Sequence, residues 1–214
     1  MADVSSKISG EATKRTRLSP DERRDQLITL GTKMLGERAI EDISISEIAA
    51  SAGISRGLLF HYFPTKQDFQ LAIVQHANAE LIERVTPDRN LGVFEMLRDS
   101  ITRYIEYVSE NRSSYAALLR GPTSVSPDLV PLVDQTRGAI IGIILTEVPV
   151  EVDEVDRPRL LLAMRGWIAF VEETTLTWLG AESITREQLI DLLVESLIAL
   201  AFSLNPALAE ALRG

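Results

Sequence analysis

Ser55, Arg56 and Gly57, followed by His61, Tyr62 and Lys66, place a hydroxyl, a guanidinium, an imidazole, a phenol and an ammonium within one short stretch that also holds Pro64. These groups donate hydrogen bonds and carry or acquire positive charge, so together they suit an anion. Lys66 falls in the first turn of a helix that opens at Thr65, with Asp68 in the place of a capping-box glutamate. The helix dipole disfavours a cation there unless an anion comes to meet both, and a nucleic-acid phosphate is the natural candidate.

Those side chains need a rigid support, and the residues before them supply one. Ser46-Glu47-Ile48-Ala49-Ala50-Ser51-Ala52-Gly53-Ile54-Ser55 reads as one short helix, a tight turn and the cap of a second helix. Ala49 is small where the next helix must approach, Gly53 provides the left-handed turn residue, and Ile54 plugs the corner. The second helix, from Arg56 to Tyr62, is too short to stand alone and must be held by its neighbours. In a helix-turn-helix its N-terminal end, Ser55 to Gly57, faces base edges in the major groove, where an arginine can hold a guanine bidentately. A plain corner in a helical bundle accommodates the Ala-Gly-Ile turn equally well. His61 can be a packing residue, and Tyr62 can simply shield the helix junction.

Helix signals continue along the chain. Ser19-Pro20-Asp21-Glu22 opens a first helix to about Glu37, and capping boxes are expected at Ser44-Glu47, Thr65-Asp68 and Thr185-Gln188. Further helical patterns cover about 65–84, 91–110, 112–120, 127–146, 156–179 and 186–203, separated by Pro and Gly breakers. Ile43-Ser44-Ile45-Ser46 alternates like a strand but is too short and runs into a cap. The chain is therefore expected to be all-α.

The 214 residues carry a net charge of −9, which at first opposes a nucleic-acid partner. The charge is unevenly placed: Lys14 to Lys66 holds nine cations against seven acids, whereas residues 86–214 hold eleven against nineteen. No lysine follows Lys66. The absence of cysteine excludes a disulfide scaffold, a thiolate zinc site and a cysteine nucleophile. Residues 1–20 lack the apolar core of a signal peptide and no apolar run suffices to cross a bilayer, so a cytoplasmic protein is expected.

From Ile45-Ser46-Glu47-Ile48-Ala49 through Ala52-Gly53-Ile54-Ser55-Arg56-Gly57-Leu58-Leu59-Phe60-His61-Tyr62-Phe63-Pro64-Thr65-Lys66, the chain resembles the tetracycline-repressor (TetR) family of bacterial regulators. The resemblance implies a three-helix DNA-binding head and a larger helical ligand-binding and dimerisation body, with about nine or ten helices in all. It implies base contacts from Ser55, Arg56 and Gly57, and phosphate contacts from Ser44 or Ser46, His61, Tyr62 and Lys66. Phe60 stands where the family more often has tyrosine, and both Phe60 and Phe63 are expected in the core. The division that follows is a flexible basic arm over 1–18, a helix-turn-helix domain over 19–66 and the body over 67–214. The arm's cluster, Lys14 to Arg17, can enter the minor groove or remain a solvated tail.

In the body, the stretches 160–171 and 189–204 are apolar on nearly all sides and must be covered on all sides. Two such helices, about 156–179 and 186–203, suit a four-helix bundle with a second copy of the chain, hence a homodimer on a double-stranded palindromic operator. Phe94, Tyr104, Tyr107, Tyr115, Met164, Trp167 and Phe170, with Arg137 and Glu172 among them, are candidates for a small-molecule pocket, although aromatics at helical spacing equally make core. By the family resemblance an effector would enter there and release the DNA. Glu151, Asp153, Glu154 and Asp156 lack the spacing of a calcium loop and are expected as a solvated acidic loop. His61 and His76 show no ligand spacing either, so neither metal nor cofactor is expected. The competing classes are a DNA-binding dimer without an inducer and a helical enzyme, for which no phosphate loop, nucleophile elbow or metal pair is found.

Overall fold

The computed structural model describes residues 18–121, 126–148 and 153–213. Among them the elements are α1 (Pro20–Glu37), a 3-10 turn (Ile40–Asp42), α2 (Ile45–Ser51), α3 (Arg56–Tyr62), α4 (Lys66–Val85), α5 (Val93–Glu110), α6 (Arg112–Arg120), α7 (Val130–Glu147), α8 (Arg157–Ala181), α9 (Arg186–Leu204) and α10 (Pro206–Arg213). The fold is all-α, as expected.

Three reciprocal capping boxes start helices. Ser19 with Glu22 opens α1, Thr65 with Asp68 opens α4, and Thr185 with Gln188 opens α9, each satisfying backbone donors that the helix leaves free. The fourth expected box is half made. Ser44 accepts from the Ser46 N–H, but the Glu47 side chain turns to Arg38 at 3.3 Å instead of reaching back to the cap. An ion pair to a neighbouring segment displaces a local hydrogen bond.

The apolar side chains fall into two clusters. One gathers Leu27, Ile48, Leu59, Phe63, Phe69 and Ile73 from α1 to the first half of α4. The other gathers Leu81, Ile105, Trp167, Leu193 and Ile198 among others, from the second half of α4 through α10. Helix α4 therefore belongs to both. Its crossing with α1 is tight at Gly31, where a Cβ would lie 2.4 Å from Ile73 Cδ1. Only a residue without a side chain lets the two helices approach so closely.

The expected helix ends shift by up to three residues, and α10 goes beyond the sequence expectation. Its start is nevertheless written: Pro206 stands at the first helical position and the Asn205 side chain accepts from the Ala207 N–H at 3.0 Å. Leu208, Ala209 and Leu212 bury against the body. The cluster Lys14 to Arg17 and Glu151 lie outside the described residues. Asp153, Glu154 and Asp156 are exposed in the turn before α8.

Candidate nucleic-acid interface and ligand cavity

The corner between α2 and α3 is built by backbone bonds. Gly53 has φ 65°, and the N–H groups of Gly53 and Ile54 donate to Ala50 O at 3.0 Å and Ala49 O at 2.9 Å. The left-handed residue turns the chain so that the Ser55 hydroxyl caps α3, accepting from the Leu58 N–H at 3.2 Å. Within α3 only Leu59 is fully buried. Arg56, Gly57, Phe60 and His61, one turn apart in pairs, are all exposed.

Phe60 is thus a correction: it is 36% exposed on the outward face, not in the core. Leu59 and the corner residue Phe63 take the buried positions, with Tyr62 half-buried beside them. Phe63 is buried, meets Phe69 edge-on at 4.9 Å and carries the Arg24 guanidinium over its ring at 5.1 Å. Leu58, which sequence reasoning did not single out, is 39% exposed.

The remaining head residues divide. Ser46 is exposed, whereas the Ser44 hydroxyl is engaged in capping α2. Tyr62 is half-buried against the head core, with His61 edge-on to it at 5.6 Å. Lys66 is exposed, and its ammonium donates to Glu41 O at 3.0 Å, which ties the 3-10 turn to the start of α4. Gln70 does the same through Ile40 O at 2.9 Å.

The body encloses a cavity between α5, α7 and α8, with the end of α4 and the tip of α10 completing it; its empty volume, mouth included, is about 820 Å³. Four of the nine candidate residues line it: Tyr104, Tyr115, Trp167 and Glu172. The Tyr104 and Tyr115 hydroxyls share a buried hydrogen bond of 3.2 Å, and burial pushes both phenols well above their ordinary pKa. Glu172 is 8% exposed and is clasped from behind by Arg137, whose Nε and Nη2 donate to its two oxygens at 3.0 and 2.6 Å.

The other candidates lie elsewhere. Phe94 packs half-buried on the body core, Met164 lines a separate crevice with Leu197 and Leu208, and Phe170 is exposed on α8. The Tyr107 hydroxyl donates to Ala77 O at 3.0 Å, beside a cleft that reaches Leu35 and Ile40 of the head. Tyr115 borders that cleft as well as the cavity. Most of the cavity wall is aliphatic, such as Ile140 and Ile144 of α7 and Leu212 of α10. A sequence pattern does not separate such residues from core; the uninterrupted apolar run from Ala139 to Leu145 in α7 is one signal that hints at them.

A capped recognition helix on a three-helix head, joined to a helical body with an internal cavity, defines the helix-turn-helix regulators of transcription. Residues 27–73 match the bacterial regulatory proteins of the tetR family, and residues 93–200 match the tetracyclin repressor-like C-terminal domain. The chain belongs to the tetR family. A tetR-family transcriptional regulator from Streptomyces coelicolor superposes with a TM-score of 0.79 at 33% identity, over 92% of this chain and 89% of that one. FadR from Bacillus subtilis, solved with stearoyl-CoA, shares the fold with a TM-score of 0.60 at 20% identity, over 82% of this chain and 96% of that one. The nucleoid occlusion factor SlmA of Pasteurella multocida is 36% identical over 74 residues, 34% of this chain and 37% of that one. The chain spans less than half the length of this relative and of its Haemophilus influenzae counterpart, at 37% and 48%. Among the described residues no helix is long and apolar enough to cross a membrane, and no cluster of His, Asp or Glu could hold a metal ion.

Proposed function

We propose that this transcriptional regulator is a non-enzymatic, cytoplasmic, dimeric repressor that binds a palindromic operator through α3 and is released by a small apolar or amphipathic molecule held in the body. The observation that carries the DNA-binding assignment is the exposed face of α3 presenting Arg56, Gly57, Phe60 and His61 beside the Ser55 cap. Ser55, Arg56 and Gly57 read bases, while Ser44 or Ser46, His61, Tyr62 and Lys66 meet phosphates. Leu58 and Phe60 add apolar surface for thymine methyl groups. The head spans 19–66 and borrows the first half of α4 for its core.

Dimerisation runs through α8 and α9. Leu162 at 74% and Phe202 at 61% exposure, with Phe170 and Leu192, form an apolar face on helices whose other sides are buried. Covering that face with a second copy removes it from water and spaces two recognition helices about 34 Å apart. Effector binding acts through α6: Tyr115 reaches the cavity, and Leu118 one turn later packs on the head cluster. A ligand that shifts Tyr115 biases the head toward an arrangement that does not fit the operator.

Fluorescence anisotropy with DNA from upstream of the chain's own gene, titrated against salt, tests the reading. Arg56→Ala relaxes preference at one operator position by about 1–3 kcal/mol, whereas Lys66→Ala weakens all sequences alike and lowers the salt slope by about one. Equal effects of both variants on operator and random DNA refute the assignment of roles, and absence of any preferred palindrome refutes the repressor.

A further inference from the structure

Three features of the cavity bear on what it can hold: the sign of the charges that line it, the state of those charges, and the hydroxyls on its wall. Among the described residues the charged ones in the lining are Glu147 and Glu172, with no lysine, arginine or histidine. An anionic group entering this space would lose its hydration and find no free cation, because Arg137 and Arg89 are already held by Glu172 and Glu147. A cation would find both carboxylates already occupied. Glu172 holds the Arg137 guanidinium through both oxygens, and Glu147 holds Arg89 at 2.7 Å.

The hydroxyls favour a different group. Tyr104 and Tyr115 bring two O–H donors, and their mutual bond of 3.2 Å uses one of them. Thr175, fully buried, approaches Tyr104 without reaching good hydrogen-bond geometry and adds a third hydroxyl beside the pair. Burial holds both phenols protonated through the physiological range, so they remain donors. The Glu172 carboxylate, whose charge acts on both phenols, is already bound by Arg137. The pair thus borders a largely apolar space bounded by Met96, Ile101, Ile144, Trp167 and Val171. The mutual bond leaves one of the two hydroxyl protons over, and a ligand oxygen can accept it.

We propose that the cavity selects an uncharged, largely apolar molecule bearing a hydrogen-bond-accepting oxygen, a ketone, ester or lactone, placed against the Tyr104–Tyr115 pair, and rejects carboxylates. The assignment rests on reading the cavity as the effector site. It makes Tyr104 and Tyr115 the residues that set ligand class, and Arg137 the residue that keeps Glu172 from serving as a cation receptor.

The test uses the full chain and the neutral dye N-phenyl-1-naphthylamine, whose fluorescence rises on entering an apolar site. Dye uptake, reduced by the cavity-filling variant Ile144→Trp, reads the cavity itself. Displacement is then measured with 2-octanone, octanoate and octylammonium, matched in chain length and differing only in the polar group. The ketone is expected to displace the dye at concentrations about tenfold lower than either ion, the effect of one hydrogen bond and an uncharged head. Tyr104→Phe and Tyr115→Phe, each checked for native helicity by circular dichroism, should retain dye uptake and lose most of that preference. If octanoate or octylammonium competes as well as the ketone, or if no octyl probe displaces the dye, the ligand class is wrong while the cavity stands. If the dye is not taken up, or Ile144→Trp leaves its uptake unchanged, the effector-site reading falls as well.

Discussion

Replacing Arg137 by methionine isolates the buried ion pair behind the cavity. In the native chain the guanidinium donates to both oxygens of Glu172, at 3.0 and 2.6 Å, and the carboxylate has little other access to solvent, being 11% exposed against 27% for the Arg137 side chain. Removing one member of such a pair strands the other, which costs about 3–5 kcal/mol when burial is complete. Here the partly exposed arginine leaves an opening for water, so the lower figure, about 3 kcal/mol, is the expected loss. For a chain of this size that corresponds to a Tm lower by about 6–12 °C. Urea unfolding followed by circular dichroism at pH 7 measures it, at one fixed protomer concentration because association shifts the midpoint. The double variant Arg137→Met/Glu172→Met removes both charges and should recover to within about 1 kcal/mol of the native chain. A loss below about 1 kcal/mol in the single variant, or a double variant no more stable than the single, refutes the view that Glu172 depends on Arg137 for its burial.

Gly53→Ala forces a Cβ onto a residue with φ 65° and should lower stability by about 1–2 kcal/mol, read from the urea midpoint, with Gly53→Asn milder. Gly31→Ala drives a Cβ to 2.4 Å from Ile73 Cδ1 and should cost about 1–3 kcal/mol, part of it recovered when Ile73→Val removes that methyl group. Tyr104 and Tyr115 ionise well above the ordinary tyrosine pKa when folded, whereas unfolded tyrosine ionises near about 10. Their contribution to stability is therefore complete below that pH and is lost above it, at about 1.4 kcal/mol per pH unit for each. An alkaline titration by circular dichroism checks this, and Tyr104→Phe should flatten the slope.

What could be read from the chain depended on how local the cause was. Ser19, Thr65 and Thr185 begin helices through bonds to residues three places on, so their types and spacing suffice. The turn at Gly53 is equally local. Glu47 departs because its partner, Arg38, comes from another segment, and propensity cannot weigh a competing ion pair. Phe60 faces outward because a helix as short as α3 has room for few inward positions, which the neighbours decide. The cavity was hardest to foresee. Tyr104, Tyr115, Trp167 and Glu172 converge on it, while Tyr107 and Met164 serve adjoining crevices and Phe170 faces out. Periodicity reports that a face is apolar; it does not report whether another side chain or an empty space lies opposite.

Helix α4 runs without interruption from Phe69 and Ile73 in one cluster to Leu81 and Val85 in the other. Each half of α4 nucleates the helix for the other, so a cluster that holds its half in place also lowers the cost of ordering the rest. Head and body should therefore open as one cooperative unit rather than as independent foldons. An effector bound in the body would then slow amide exchange in α2 and α3, which it never touches, and would do so even with no DNA present. Stability itself becomes a channel between the two ends of the molecule.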